Sequence, residues 1–278
     1  YASGFLTGND ADTPTFHWPQ QQGLSVRQDR AEAAFQWSGA KAAADAYRVL
    51  GNDEKAAEME ELADQLENAI LTILWDDAPV DPGPGQRPGH VFKHRLTANG
   101  ALVPWKDHQN FTPFIEGLVP KDDPKYREAL RYYADAAEFP IMPFYTANQR
   151  DKAESGFAGS NNFSNINSTL QAQVFSQALR HYPSEYVTNG MYKALLDWLT
   201  WVQYVGGDNR LPNNNEFFFN WNPNTQTFGR SGIHHNILGA YNFMIIDDIA
   251  GVRPRLDNVL ELWPIDVGYD YFAVNNLS

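Results

Sequence analysis

In the stretch NNNEFFFNWNP, residues 213 to 223, Glu216 stands between three asparagines and three phenylalanines, with Trp221 close behind. If the aromatic run is buried, the carboxylate lies at the edge of a low-dielectric pocket. There its pKa rises, and general acid or base chemistry near neutral pH comes within reach. The same residue can equally be an exposed charge that guards a sticky strand against aggregation. Residue type alone leaves both readings open. A second polar group lies in GNDADTPTFHWPQQQ, residues 8 to 22. Asp10, Asp12 and Gln20 can bridge sugar hydroxyls in pairs, and Trp18 offers a stacking face. The plainer reading of this segment is an Asx-turn leading into a helix.

The third group is SGFAGSNNFSNINSTLQ, residues 155 to 171, which opens a helix with Asn161, Asn162, Asn165 and Asn167. Asparagine is a poor helix former, so this clustering needs a cause. Asn161 or Asn162 suits an N-cap. Asn165 and Asn167 fall inside the helix, and at least one of them is expected to face a polar cavity. His234 and His235 open a later helix. Adjacent helical residues point about 100° apart, so the two do not converge on one metal ion. One of them suits a bond to a substrate hydroxyl or a backbone carbonyl.

The commonest signatures are missing: there is no GxSxG elbow, Walker loop, dinucleotide fingerprint or HExxH. What remains is carboxylates with amides and aromatics. Two Asp or Glu residues, one protonating a leaving oxygen and one activating water, are what glycoside hydrolysis requires. No cofactor is expected. The metal reading the residues offer is Ca²⁺ at Asp10 and Asp12, without the twelve-residue EF-hand pattern.

Composition narrows the partners. The formal net charge of -13 and the lack of clustered Lys and Arg argue against nucleic acid and for a neutral or cationic ligand. With no cysteine, disulfides and thiolate chemistry are ruled out. No run approaches the roughly 18 apolar residues of a membrane helix, and YASGFLTGND lacks the order of a signal peptide. Eight tryptophans suit stacking on sugar faces, although core packing is the commoner use of aromatic rings.

The elements that must position these residues are mainly helical. VRQDRAEAAFQWSGAKAAADAYRVLG reads as an Ala-rich helix ending at Gly51. Asn52 and Asp53 can cap a second, whose apolar stripe is Met59, Leu62, Leu66, Ile70 and Ile73. Residues 76 to 107 are rich in Pro and Gly and predict a long loop, with room for a short hairpin at GHVFKHRL. Helices are expected at 108 to 117, 123 to 138, 163 to 182 and 184 to 205, with Tyr192, Leu195, Leu196, Leu199 and Val202 on the inner face of the last. IHHNILGAYNFMIIDDIAG predicts a helix buried on most sides, and VLELWPIDVGYDYFAVNNLS turns to short β-prone segments.

These segments, in this order, resemble the catalytic domains of six-hairpin (α/α) toroid glycoside hydrolases, such as family 63, mannosylglycerate hydrolase and the trehalases. TGNDADTP is similar to their Gly-x-Asp acid motif with one extra residue, which implies Asp10 as general acid with Asp12 in contention. FAGSNNFSNIN echoes their Trp/Asn-rich segment at Asn165 and Asn167, without its Arg and tryptophans. NEFFFNWNPNTQTFGRSGIHHNIL is similar to their base segment, with Glu216 as base. The resemblance implies an all-α fold, an (α/α)6 toroid over residues 1 to 262, and inversion at the anomeric carbon of a carbohydrate substrate. About seven helices are countable where a toroid needs twelve. Residues 263 to 278 then read as a tail towards a β-domain, and further domains are expected at both ends. Trp18, Gln20, Asn162, Asn165, Asn167, Trp221, His234 and His235 become candidate substrate contacts, and a secreted or periplasmic location is expected. A polysaccharide lyase using Lys152, Arg210 or Arg230 is the enzymatic alternative, and a non-catalytic carbohydrate-binding domain the other.

Overall fold

The computed structural model describes residues 26–75, 90, 92, 95–97, 102–103, 112–134, 163–204, 217–222, 227–230, 238–255 and 257–275. They are mostly helical and end in a short β tail, the all-α class predicted above. The chain forms two compact units, Tyr1–Tyr132 with Ala147–Ser160, and Tyr133–Thr146 with Asn161–Ser278.

In the first unit, β1 (Val26–Asp29) leads directly into α1 (Arg30–Val49), and α2 (Asp53–Ala69) packs on α1. The join is a sharp one. Gly51 takes φ +72, the left-handed conformation that glycine adopts without steric cost, and Asn52 Oδ1 accepts the Lys55 N–H at 3.1 Å to cap α2. Small side chains fill the seam: Ala33, Ala34, Ala40 and Ala44 on α1, and Ala56, Ala63, Leu66 and Ala69 on α2, are all buried. Trp37 Nε1 donates to Glu67 Oε2 at 3.2 Å, and Arg48 pairs with Asp45 and Glu60. The exposed Arg48 pairs add little, so the alanine and leucine seam is what holds the hairpin.

Two expectations need correction here. Residues 26 to 29 are strand rather than helix, because Val26–Asp29 pairs antiparallel with β2 (Arg95–Thr97), which in turn pairs with β3 (Leu102–Val103). Ladder pairing with a distant segment overrides local helix propensity. The stripe on α2 is also shifted. Leu66 and Ile70 are buried, but Met59, Leu62 and Ile73 are only half-buried, and the small Ala56, Ala63 and Ala69 lie innermost. Residues Ile70–Leu74 widen into a π-helical turn, which breaks the spacing of three and four.

Beyond that turn Trp75 meets Phe92 in an isolated antiparallel bridge. Their rings lie 5.0 Å apart, and Tyr126 of α4 (Pro124–Ala134) stacks on Phe92 at 5.6 Å and meets Trp75 edge-on at 4.8 Å. Phe114, on α3 (Thr112–Ile115), closes the cluster 5.9 Å from Phe92. Aromatic rings here serve the core. Helix α3 ends at Ile115 and α4 begins at Pro124, close to the expected bounds, while residues 108–111 and 135–138 of the two predicted helices lie outside the described residues.

In the second unit, β4 (Phe163–Ser164) runs straight into α5 (Asn165–His181), and α6 (Asn189–Tyr204) packs against it. Val174, Phe175 and Ala178 on α5 and Tyr192, Leu195, Leu196 and Leu199 on α6 are buried, as the predicted inner face requires. Strand β4 pairs with β5 (Phe217–Asn222), and β5 with β6 (Thr227–Arg230). The helix predicted to be buried on most sides is observed as α7 (Leu238–Phe243) followed by a π-helical turn, Met244–Ile249. It is less enclosed than expected: Phe243 is 49 % exposed, while Met244, Asp248 and Ile249 turn inward. A hairpin of β7 (Val252–Pro254) and β8 (Leu260–Leu262) follows. Gly251, at φ +66, brings the backbone so close to Pro264 that an added Cβ would sit 2.2 Å from its nitrogen. No helix of the described residues is long and apolar enough to cross a membrane.

Candidate functional site

Among the residues singled out from sequence, Asp10, Asp12, Trp18, Gln20, Asn162, Glu216, His234 and His235 lie outside the described residues, as do Lys152 and Arg210. Asn165 and Asn167 are at the start of α5, and Trp221 is on β5. The backbone links these two elements. Phe163 pairs with Phe218 and Ser164 with Phe217, antiparallel. Asn165 directly follows Ser164 in the sequence, and Glu216 directly precedes Phe217. The ladder therefore brings the first residue of α5 and the start of the FFFNWN strand to one edge. Phe163–Ser164, directly before the asparagines of α5, and Phe217–Asn222, more than fifty residues on in the chain, share one small sheet.

The best-defined cluster of charged groups among the described residues is one that sequence reasoning passed over. Asp248 sits on the π-helical turn and is fully buried. Its Oδ1 accepts from Ser176 Oγ at 2.5 Å and from Arg180 Nη1 at 2.6 Å, and its Oδ2 accepts from Tyr192 OH at 2.6 Å. Arg180 Nη1 also reaches Ser176 Oγ at 2.6 Å. Its Nη2 donates to the backbone carbonyls of Asp247 at 2.8 Å and Trp263 at 3.0 Å. Both members of the ion pair are almost wholly covered, with side chains 2 % and 1 % exposed. An acid in a near-apolar helix must find such partners or pay heavily in desolvation, so the paired Asp247–Asp248 in FMIIDDIAG was the signal to follow.

The chemistry of this cluster is structural. Both carboxylate oxygens of Asp248 are already filled by protein donors, and the group is closed to solvent. Burial pushes the Tyr192 phenol far above its ordinary value of 10.0, and the adjacent Asp248 charge and hydrogen bond push it further. Burial alone raises Tyr182 as well. Asp247 is raised too, because burial outweighs the attraction of Arg253. The two phenols hold their protons in the folded state. Their contribution to stability is thus present below pH about 10 and lost as pH rises through their raised folded values, while the unfolded chain ionises. The melting temperature should stay level up to pH about 10 and fall above it. In Tyr192→Phe that alkaline fall should be shallower, while stability at pH 7 drops by about 1–3 kcal/mol for the lost donor. Melts across pH 7 to 11 check both statements, and an unchanged alkaline slope would contradict them.

Among the described residues no group of three or more His, Asp or Glu is placed to hold a metal ion. The Ca²⁺ reading of Asp10 and Asp12 lies outside them.

No protein-family model matches the sequence. A solved chain named "Sialidase" has the same fold. It superposes with a TM-score of 0.71 over 96% of this chain, at 16% sequence identity. The match spans 24% of that longer protein. At such identity the likeness is one of fold: the helical arrangement is shared, and the site residues are not thereby transferred.

Proposed function

We propose that this chain is the catalytic portion of a glycoside hydrolase that cleaves an O-glycosidic bond with inversion, on an (α/α)6 toroid of which residues 1 to 262 form part. The observation that carries the proposal is the fold likeness to a chain named "Sialidase", which extends over 96% of this sequence. The β4–β5 ladder supports the choice of residues, because it joins the Asn-rich entry of α5 to the strand that follows Glu216.

Asp10, or Asp12 in its place, is assigned as general acid and Glu216 as general base. The Asp carboxyl gives its proton to the leaving glycosidic oxygen as the C–O bond breaks. Glu216 takes a proton from a water that attacks the anomeric carbon on the opposite face. One water is consumed and the product carries the inverted configuration, which calls for a carboxyl separation of roughly 6.5–9.5 Å. No cofactor is needed for this proton traffic. Asn165, Asn167 and Trp221, with Trp18, Gln20, Asn162, His234 and His235, are assigned to the sugar. Amides bond hydroxyl pairs, and indole rings cover the apolar faces of the pyranose.

A panel of aryl glycosides and oligosaccharides, α-sialosides included, followed by proton NMR from the first turnover, tests this. Release of a sugar in the anomeric form opposite to that of the substrate is expected. Retention of configuration would overturn the role of Glu216 as base, and no release from any member would overturn the glycosidase assignment.

A further inference from the structure

Of the eleven exposed large apolar residues among the described ones, seven (Val259, Leu260, Leu262, Trp263, Tyr269, Tyr271 and Phe272) fall in the last described stretch. Two of them, Tyr269 and Phe272, line a cavity of about 260 Å³. Its floor is made by Ile249, Ile265 and Val267, which are buried, and its walls by Tyr269, Phe272 and Asp266. Tyr269 is 44% and Phe272 38% exposed, so both rings present open surface.

We propose that this cavity is a carbohydrate subsite for a single neutral pyranose ring of a longer glycan. The class of ligand rests on the glycosidase reading above, and the site itself on four observations. First, the cavity is small beside the ~300–1,000 Å³ of a drug-sized pocket, which suits one ring rather than an extended peptide or lipid. Second, two aromatic rings stand beside a carboxylate. Flat apolar faces and a strong acceptor are the two features that a sugar ring, apolar on its faces and hydroxylated at its edge, can match together. Asp266 Oδ1 accepts the Gly268 N–H at 2.8 Å, which orients the carboxylate and leaves its second oxygen for a hydroxyl. Third, a carboxylate in a chain of net charge -13 repels acidic sugars, so the ligand is neutral.

Fourth, the chain leading into the cavity is anchored at Trp263 and Ile265 although the segment has no regular secondary structure. Ile265 N donates to Asp248 O at 2.8 Å and Trp263 N to Gly251 O at 2.8 Å, and Arg180 bonds the Trp263 carbonyl. Lys193, itself paired with Asp197, places its ammonium 5.6 Å from the centre of the Tyr269 ring. A backbone anchored in advance lowers the ordering cost when a sugar stacks on the rings it carries.

Affinity electrophoresis in native gels cast with neutral polysaccharides (galactomannan, starch, β-glucan) or with anionic alginate tests the proposal on the full chain. Retardation by at least one neutral polymer is expected. It should weaken about tenfold or more in Tyr269→Ala/Phe272→Ala, and persist in the ring-conserving Tyr269→Phe/Phe272→Tyr. Hydrolysis of a soluble aryl glycoside should be unchanged in both. No retardation by any neutral polymer, retardation by alginate alone, or retardation unaltered in the double alanine variant would overturn the subsite. The two proposals fail separately. If Glu216→Gln removes turnover while the alanine pair changes no binding, the subsite alone is wrong. If no substrate is turned over but the alanine pair removes binding, the subsite stands and the glycosidase reading does not.

Discussion

Glu216→Gln is expected to lower kcat by about 10²–10⁴-fold, the usual worth of a general base, while KM changes little. The amide keeps the size and hydrogen-bonding reach of the carboxylate but cannot accept the proton of the attacking water. The sugar should therefore still bind, and the step that fails is the attack itself. Two further readouts separate this from a merely structural loss. The acidic limb of the pH–rate profile, which reports the base, should disappear in Glu216→Gln. In Glu216→Ala, added azide, a nucleophile that needs no deprotonation, should restore part of the turnover. If instead Glu216 only shields an aromatic strand, turnover should survive the change to Gln and solubility should suffer when the charge is removed.

Arg180→Met is expected to destabilise the protein by about 3–5 kcal/mol, read as a lowered urea midpoint, because it leaves the Asp248 carboxylate buried without its counter-charge. Two backbone carbonyls, those of Asp247 and Trp263, lose their donor at the same time. The loss should be larger than any obtained at the exposed Arg48 or Arg255 pairs, which solvent screens. Removing both charges in Arg180→Met/Asp248→Leu should recover part of the deficit, since an apolar pair avoids the desolvation that the ion pair carries. A midpoint for Arg180→Met within the range of a surface pair would show that the network does not hold the second unit together.

How much of this was legible beforehand depends on whether the deciding interactions are local. The α1–α2 hairpin could be read because its signals are adjacent in the chain: an alanine-rich run, a glycine able to turn left-handed, and an asparagine three residues before the N–H it caps. Strand β1 could not, since its partner Arg95–Thr97 lies far along the chain and Val26–Asp29 carries no strand pattern of its own. The burial of α6 followed from its spacing, whereas the two π-helical turns leave no trace in a spacing argument, being single turns of five and six residues. The Asp248 network joins residues 56 to 72 apart, so only one half of it, an acid among apolar neighbours, was visible. Of the candidate site, Asn165 and Asn167 fall in the first turn of α5, but the cap expected at Asn161 or Asn162 does not stand at its start, because Phe163–Ser164 are strand, and the strand following Glu216 was read only as the sticky strand of the gatekeeper alternative. That the two meet in one ladder is a long-range fact with no local marker.

The widened turn Met244–Ile249 has a consequence for how this region can change over time. Its closing bond runs from Ala250 N to Ile245 O, one residue further than an α-helix would reach. The turn takes up one residue more than an α-helix would, so deleting that residue would restore regular α geometry and leave the flanking chain facing as it does, whereas the same deletion inside α5 or α6 would rotate everything downstream by about 100°. A change of chain length is therefore absorbed at this turn and nowhere along the regular helices beside it.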